Sequence, residues 1–436
     1  MTAPFDARIE KLVYGGDGLS HHDSHTVFVP YTMPGELVRV APIEERKKFI
    51  RGRADQILEP SPDRVAAPCP EFGICGGCHY QHIPYDQQLK FKVEILRETL
   101  ARIGKIEWPG EIKAIASPPF GYRNRAQWAI RPVGDPPRPA IGYFRPASSI
   151  LARTNACPIL MPQLESVLAA LGAACEQGRL PGGMGAIECF SNASGDKMLL
   201  NVNVSKSGMK ALAISERLRE IVPGIESILI QDETAEHFEL FGPGYLEYHT
   251  EDVSFRVGHL SFFQVNRFLV EELVRSVVAE KLDNGSGAGL ALDLFAGVGL
   301  FSIPLAKRFE RVIAVEGDIA TSRDLEVNVK THPRIRGRHA DTESFLARQK
   351  ETPDFVVLDP PRAGVTAPAI QRLRELAPAH ITYLSCDPAT LARDLAALTA
   401  GAVGAGSRYQ ISDITVYDIF PETYHIEALV RLQRLG

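Results

Sequence analysis

The 436-residue chain has no run of about 18 uncharged apolar residues, the length a membrane-spanning helix needs, so a helical membrane protein is excluded. Its start, Met1-Thr2-Ala3-Pro4-Phe5-Asp6, has no basic segment leading into an apolar one. No secretory signal is expected, and the expected setting is a reducing cytoplasm without membrane contact. A surplus of basic residues is missing too. The 48 Lys and Arg stand against 53 Asp and Glu, a net charge of −5, so no overall basic footprint announces a nucleic acid. Internal repeats are absent, and the nearest approach to low complexity, Asn284 to Gly289, reads as a loop. Apolar content is ordinary, and the length suggests roughly two to four domains.

What is present concentrates toward the C-terminus. Phe355-Val356-Val357-Leu358 and Ile381-Thr382-Tyr383-Leu384 are short apolar runs that read as buried parallel strands. Asp359-Pro360-Pro361-Arg362 follows the first, and Ser385-Cys386-Asp387-Pro388 the second. Both tails would emerge at the carboxyl edge of the sheet, where open α/β folds bind ligands, and a thiol there suits chemistry better than packing. Upstream, Ala291 to Phe295 reads as a strand, Ala296 to Gly299 as a tight turn, and Phe301 to Arg308 as a helix. A second strand, Arg311 to Val315, ends in Glu316, 19 residues after Gly297, where such folds hold ribose hydroxyls. The third glycine of the dinucleotide fingerprint is missing. A nucleoside cofactor without phosphates fits better than a dinucleotide, and S-adenosylmethionine is the common one.

Phe263-Gln264-Val265-Asn266, Asp293 to Gly299, Asp359 to Gly364 and Ser385 to Pro388 resemble, in that order, motifs of the S-adenosylmethionine-dependent RNA 5-methyluridine methyltransferases. Adenine-ring methyltransferases resemble Asn-Pro-Pro-Tyr where this chain has Asp-Pro-Pro-Arg. The resemblance runs over nearly the whole chain and implies covalent catalysis. Carbon 5 of uracil is a poor nucleophile until a thiolate adds at carbon 6. Cys386 is the expected thiolate. The C-terminal stretch Phe420-Pro421-x-Thr423-x-His425-x-Glu427 resembles the family's terminal motif, which makes Glu427 the expected proton acceptor and His425 the runner-up. For the cofactor the resemblance implies Glu316 on the ribose, Phe295, Gly297 and Gly299 at the methionine end, and Asp341 at the adenine. Asp359 and Gln264 fall near the methionine and the target base. Leu300 stands where the family often carries Asn.

Cys69, Cys75 and Cys78 form C-x5-C-x2-C in a loop broken by Pro68, Pro70, Gly73, Gly76 and Gly77. Thiols gathered in an irregular loop suggest a metal, and Cys157, in a turn beside Pro158, is the best fourth ligand. The three-plus-one spacing resembles the 4Fe–4S site of the ribosomal members, with zinc the runner-up and no radical chemistry implied. Cys175 and Cys189 read as core residues. Residues 1–60 carry short β-type runs that resemble the TRAM domain, an oligonucleotide-binding-type (OB-like) barrel. Arg46, Lys47, Lys48, Arg51 and Arg53 close this module, and from Gly121 to Arg153 six arginines stand against one acid. Tyr122, Trp128, Tyr143 and Phe144 are interleaved there, a pattern for unpaired RNA or for a sheet face with core aromatics.

The expected architecture is thus multidomain, β and α/β. A TRAM-like barrel spans 1–60, a central α+β domain with the cysteine loop spans 61–250, and a Rossmann-like class I methyltransferase domain spans 251–436. Within the central part, Asp86 to Ile103 should be a helix with Leu89, Val93, Leu96 and Leu100 on one face, and residues 186–258 should form antiparallel strands. Transfer-RNA members of the resembled family generally lack both the barrel and the cysteine loop, so the resemblance implies large-subunit (23S) ribosomal RNA over transfer RNA. They speak against a small-molecule methyltransferase, and the intact thiol speaks against a non-catalytic RNA binder. No obligate protein partner is evident.

Overall fold

Strict alternation builds the first sheet. Every second residue of His25–Pro30 and of the start of Leu37–Glu45 points inward, so Val27, Val29, Val38 and Val40 meet Phe5, Ala7, Ile9 and Ile50 in a small core. The computed structural model describes residues 3–205, 209–232, 237–279, 288–400 and 408–435. In it this N-terminal sheet has six strands, in the order Phe5–Arg8, Leu37–Glu45, Phe49–Glu59, His25–Pro30, Asp17–His22, Lys11–Leu12. Three residues of its basic run already have acidic partners: Arg46 with Glu44, Arg51 with Asp17, and Arg53 with Asp55.

A seven-stranded sheet follows, from Leu151–Arg153 at one edge to His237–Phe241 at the other, with helices Pro162–Glu176 and Ala211–Ile221 packed into its core. The run beyond residue 186 is therefore not purely antiparallel. Helix Ala211–Ile221 makes the crossover that lets Met198–Val204 and Ile225–Asp232 pair in parallel. Cys175 and Cys189 are buried in this core.

The third large sheet has eight strands. Five are parallel, in the order Ile335–His339, Phe309–Glu316, Ala288–Leu294, Phe355–Leu358, His380–Ser385. Every residue of the last two is buried, as expected for a sheet covered on both faces. Glu427–Arg434 and Tyr409–Tyr417 extend it as an antiparallel pair. The chain order reverses beside Ala288–Leu294, so the crevice lies between the loops after that strand and after Phe355–Leu358. The expected helix from Phe301 shrinks to Ser302–Leu305, because the strand begins already at Phe309. The glycine-rich stretch 284–289 falls largely outside the described residues.

Residues 61–250 contribute to two bodies. Lys113–Ile115 pairs in parallel with Tyr409–Tyr417 as the edge of the eight-stranded sheet. Helix Tyr85–Thr99 and the π-turn Leu100–Gly104 pack against Leu391, Ala392 and Leu395 of helix Pro388–Thr399. Gly104 permits that approach, since a Cβ there would stand 2.8 Å from the Ala392 carbonyl oxygen. The helix buries a face rotated from the apolar stripe, taking in Gln88 and Lys92. Gln88 donates to Glu422 Oε2 at 3.0 Å, and Lys92 Nζ reaches Asp418 Oδ1 at 2.6 Å and the Phe420 carbonyl at 3.0 Å. Both partners of the Lys92–Asp418 pair are fully buried. Lys92→Ala is expected to cost about 3–5 kcal/mol, because it strands a buried carboxylate. A fall in the urea midpoint at constant slope would show this, and an unchanged midpoint would refute it.

Candidate active site

The eight-stranded sheet fixes the pairing that matters most. Ser385 lies opposite Ala428 in an antiparallel register, which puts Cys386, just past the end of its strand, near Glu427. Both open into a cavity of about 780 Å³ at the carboxyl edge of the parallel strands. Gln264, Phe295, Gly297, Glu316, Asp341, Asp359 and His425 line the same cavity. Gly299 does not. Its φ is +96° and a Cβ would stand 3.0 Å from Leu325 Cδ1, so this glycine serves the turn and the packing of helix Ile319–Val329. Leu300 presents an apolar side chain to the cavity.

The loop after Ala288–Leu294 is held tightly. Gly297 has φ +57° with open space where a Cβ would be, and its N–H donates to Glu316 Oε2 at 2.8 Å. Glu316 Oε1 accepts from the Asp318 N–H at 2.8 Å. The two backbone donors orient this carboxylate and leave lone pairs on both oxygens for hydroxyl donors. Phe295 takes φ +65°, a costly conformation for an aromatic residue and one that concentrates at ligand sites. Asp341 caps helix Thr342–Arg348, and the Ser344 N–H, 2.8 Å from Oδ1, holds its carboxyl below the usual range.

The cavity is acidic. Asp359 is pushed up to about 7 by burial and by the neighbouring Asp293 and Glu316 carboxylates. Asp293, beneath it, is also pushed up to about 7 by burial, with Ser302 donating to one oxygen at 2.5 Å and the other oxygen unpartnered. Burial first, then Asp359, lifts Glu427 well above the ordinary carboxylate range. Among the described residues lining the cavity, Arg362 is the one lysine or arginine. Such a field suits a cationic ligand.

The thiol stands at a guarded corner. Cys386 follows strand His380–Ser385 and precedes Asp387, which caps helix Pro388–Thr399 by accepting from Ala389 and Thr390 N–H at 3.0 and 2.9 Å. Burial, then Glu427 and Asp359, push the half-buried Cys386 thiol up to about 12, with Arg362 opposing. The Tyr14 hydroxyl, from the N-terminal sheet, donates to Asp387 Oδ2 at 3.3 Å. Nothing in the sequence indicates that contact across 373 residues. Arg362 Nη2 donates to His425 Nδ1 at 3.1 Å, and burial with Arg362 pushes His425 down to about 3. A base so weak is nearly powerless toward a carbon-bound proton at neutral pH.

Cys69, Cys75, Cys78 and Cys157 line a second cavity of about 560 Å³. Each thiol is raised above its ordinary value by burial, and for Cys75, Cys78 and Cys157 the other thiols add to the rise. They share a site, yet among the described residues no group of three or more His, Cys, Asp and Glu is gathered closely enough to grip a metal ion. The loop is tied to the terminal motif, for His79 and Tyr80 N–H both donate to the Glu422 carbonyl, at 2.8 and 3.0 Å. Phe420 and His425 line both cavities. Of the aromatics interleaved with arginine, Tyr122 and Trp128 are fully buried core residues, so base stacking is closed to them; Phe144 is exposed, with Arg131 over its ring.

The family model described as tRNA (Uracil-5-)-methyltransferase matches residues 347–435, the part that holds Asp359, Cys386 and Glu427. The 23S rRNA (uracil(1939)-C(5))-methyltransferase RlmD of Alkalilimnicola ehrlichii is 31% identical over 446 residues, covering 99% of this chain and 97% of that protein. The protein of that name in Salmonella typhimurium is 32% identical, covering 98% of this chain and 96% of its own. Among solved structures, the Pyrococcus abyssi tRNA (uracil-54, C5)-methyltransferase in complex with S-adenosyl-L-homocysteine matches with a TM-score of 0.74 at 26% identity. It covers 98% of this chain and 100% of that one. No helix among the described residues is long and apolar enough to cross a membrane. With full-length similarity on one side and a thiol paired with a carboxyl in an acidic crevice on the other, the chain belongs to the S-adenosylmethionine-dependent RNA (uracil-C5)-methyltransferases.

Proposed function

We propose that the chain methylates carbon 5 of a uridine in 23S ribosomal RNA, with Cys386 as nucleophile and Glu427 as proton acceptor. The placement of these two residues side by side at the end of the Ser385–Ala428 register, both lining the acidic cavity, carries the reading. S-adenosylmethionine, when bound, supplies the methyl group. Glu316 would hold its ribose, Asp341 its adenine, and Phe295, Gly297 and Asp359 its methionine end, where the surplus of carboxyls complements a sulfonium and an ammonium. Cys386 adds through sulfur to carbon 6 of the uracil, which makes carbon 5 nucleophilic. After methylation Glu427 takes the proton from carbon 5, and the Cys386 sulfur leaves carbon 6. The raised pKa of Glu427 makes it a strong acceptor once charged, and the depressed pKa of His425 argues against the alternative base. A target uridine within a stem has to leave its stack to reach Cys386.

The six-stranded N-terminal sheet would be a TRAM-like RNA handle, and the parallel sheet a Rossmann-like methyltransferase core. Because the Pyrococcus transfer-RNA enzyme matches over 98% of this chain, the extra N-terminal sheet does not by itself separate the two RNA classes. Full-length identity to the 23S relatives favours ribosomal RNA. Tritium-labelled S-adenosylmethionine offered with unmodified 23S ribosomal RNA or transfer RNA tests the choice. Label in 5-methyluridine of transfer RNA alone overturns it.

Cys69, Cys75, Cys78 and Cys157 would hold a 4Fe–4S cluster, or zinc as runner-up: four thiolates around one cavity are the donor chemistry of both, and their wide spacing favours the larger cluster over a single ion. The group would clamp the loop against the terminal motif and takes no part in methyl transfer. Anaerobic preparation is expected to give brown protein with about four irons per chain. Colourless protein with one bound zinc would refute the cluster.

The thiol sets a pH dependence. Cys386 is raised to about 12, so its reactive thiolate is scarce at neutral pH and grows as pH rises. Iodoacetamide labelling of the Cys386 peptide in cofactor-free protein is expected to quicken roughly tenfold per pH unit and still to be rising at about pH 9. S-adenosylmethionine should move the profile to lower pH, because its positive charges favour the thiolate; S-adenosylhomocysteine, lacking the sulfonium, should move it less. A profile that levels off below about pH 8 without cofactor would contradict the geometry.

A further inference from the structure

A third cavity, of about 260 Å³, lies on the face of the seven-stranded sheet and has no part in the chemistry above. Its walls are polar: Arg125 and Gln127 from one strand, Glu188 from the next, Asn201 from the third, and Gln231 beyond. Leu260 is shared between this cavity and the catalytic one. That leucine is 60% exposed and Phe262 beside it is 58% exposed, so two large apolar side chains stand uncovered at the mouth of the active site.

The walls are built rigidly. His259 is clamped between Asn201 Oδ1 at 2.5 Å and Ser227 Oγ at 2.9 Å, and Asn201 also donates to the His259 carbonyl at 2.9 Å and to Glu188 Oε1 at 3.1 Å. Arg125 Nη1 donates to the Ser261 carbonyl at 2.9 Å, and its guanidinium lies 4.3 Å over the Phe190 ring. These bonds fix the backbone on both sides of Leu260. Arg125 is held further by Glu188, whose Oε1 lies 3.8 Å from Nε as an ion pair, while Nε and Nη2 are buried and make no hydrogen bond. A cavity lined by an arginine, a carboxylate acceptor and the two-way amides of Gln127 and Gln231 presents the kind of groups that the pairing edge of a nucleobase needs.

We propose that this cavity is a second base pocket, which takes an unpaired nucleotide beside the target uridine while Leu260 is wedged between the two bases. The inference rests on the uridine methylation argued above and adds how the RNA is gripped. One base enters the catalytic cavity, its neighbour turns into the polar cavity, and the exposed leucine fills the step between them, as apolar wedges do where stacks are opened. The pocket reads an edge, so it confers preference for the bases around the target.

The test begins with wild-type enzyme and the 23S fragment in which it deposits label. Copies of that fragment then carry an abasic nucleotide at one neighbouring position at a time. One position is expected to raise KM about tenfold with little change in kcat, the loss of one held base. The Gln127→Ala/Gln231→Ala variant should raise KM for intact RNA by a similar factor and show less than a twofold further penalty with that abasic fragment. Its unchanged affinity for S-adenosylhomocysteine would establish that it is folded. Penalties that multiply, or the lack of any sensitive position, would overturn the pocket while leaving the methylation intact. Failure of wild-type enzyme to label any RNA would overturn both.

Discussion

Cys386→Ala is expected to lower methyl transfer by at least ~10³-fold while leaving S-adenosylmethionine affinity within about twofold. The thiol shares the cavity with the proposed cofactor residues but is joined to none of them by a hydrogen bond among the described contacts, so its loss should leave the cofactor's anchors in place. Without it no adduct forms at carbon 6, and carbon 5 stays a poor nucleophile however well RNA and cofactor are held. Single-turnover transfer of tritium to RNA, with calorimetric titration of the cofactor, would check both halves. Residual turnover within tenfold of wild type would show that methylation proceeds without the thiol. Lost cofactor binding would instead show that Cys386 supports the crevice structurally.

Glu427→Gln should slow turnover by about 10²–10³-fold, the usual cost of removing a general base, and should do so in a distinctive way. Addition of Cys386 and methylation come before the proton is removed, so the variant should stall after both. A covalent enzyme–RNA complex is expected to accumulate and to survive denaturing electrophoresis. The substitution keeps shape and volume and removes a buried acid whose charge is strongly disfavoured, so the fold should hold. A variant that turns over slowly without any trapped complex would move the base elsewhere, with His425 the first residue to examine. The depressed pKa of that histidine makes His425→Gln the weaker lesion in the expected ranking.

The parallel strands were legible because they announce themselves twice, as apolar runs and by the polar tails that follow. Phe355–Leu358 and His380–Ser385 fall within one or two residues of where the pattern puts them, and all their residues are buried. The residues expected at the active site gather in one cavity for the same reason: strand ends and the loops after them must share the carboxyl edge. Gly299 departs because glycine in a turn answers either to a ligand or to a packed neighbour, and only the position of Leu325 separates the two. Tyr122 and Trp128 fall to the core-aromatic reading, which the sequence left beside RNA stacking; for Trp128, alternation along a strand gives two faces without saying which one is covered.

Local chemistry in the chain thus set the reaction class: a thiol after one buried strand, Asp-Pro-Pro-Arg after another, a glycine turn followed by an acid. These depend on near neighbours, and near neighbours are written in order. Long-range placement was another matter. Helix Tyr85–Thr99 turns Gln88 and Lys92 inward because Glu422 and Asp418 wait there, more than 300 residues away, and no periodicity encodes a buried polar partner. Tyr14 reaches Asp387 only because two sheets meet. Lys113–Ile115 completes a sheet whose other strands come far later in the chain. The polar cavity beside Leu260 arises from strands that each look like an ordinary half-solvated surface. Burial and hydrogen bonding are properties of the packed assembly, and they turned those surfaces into a cavity.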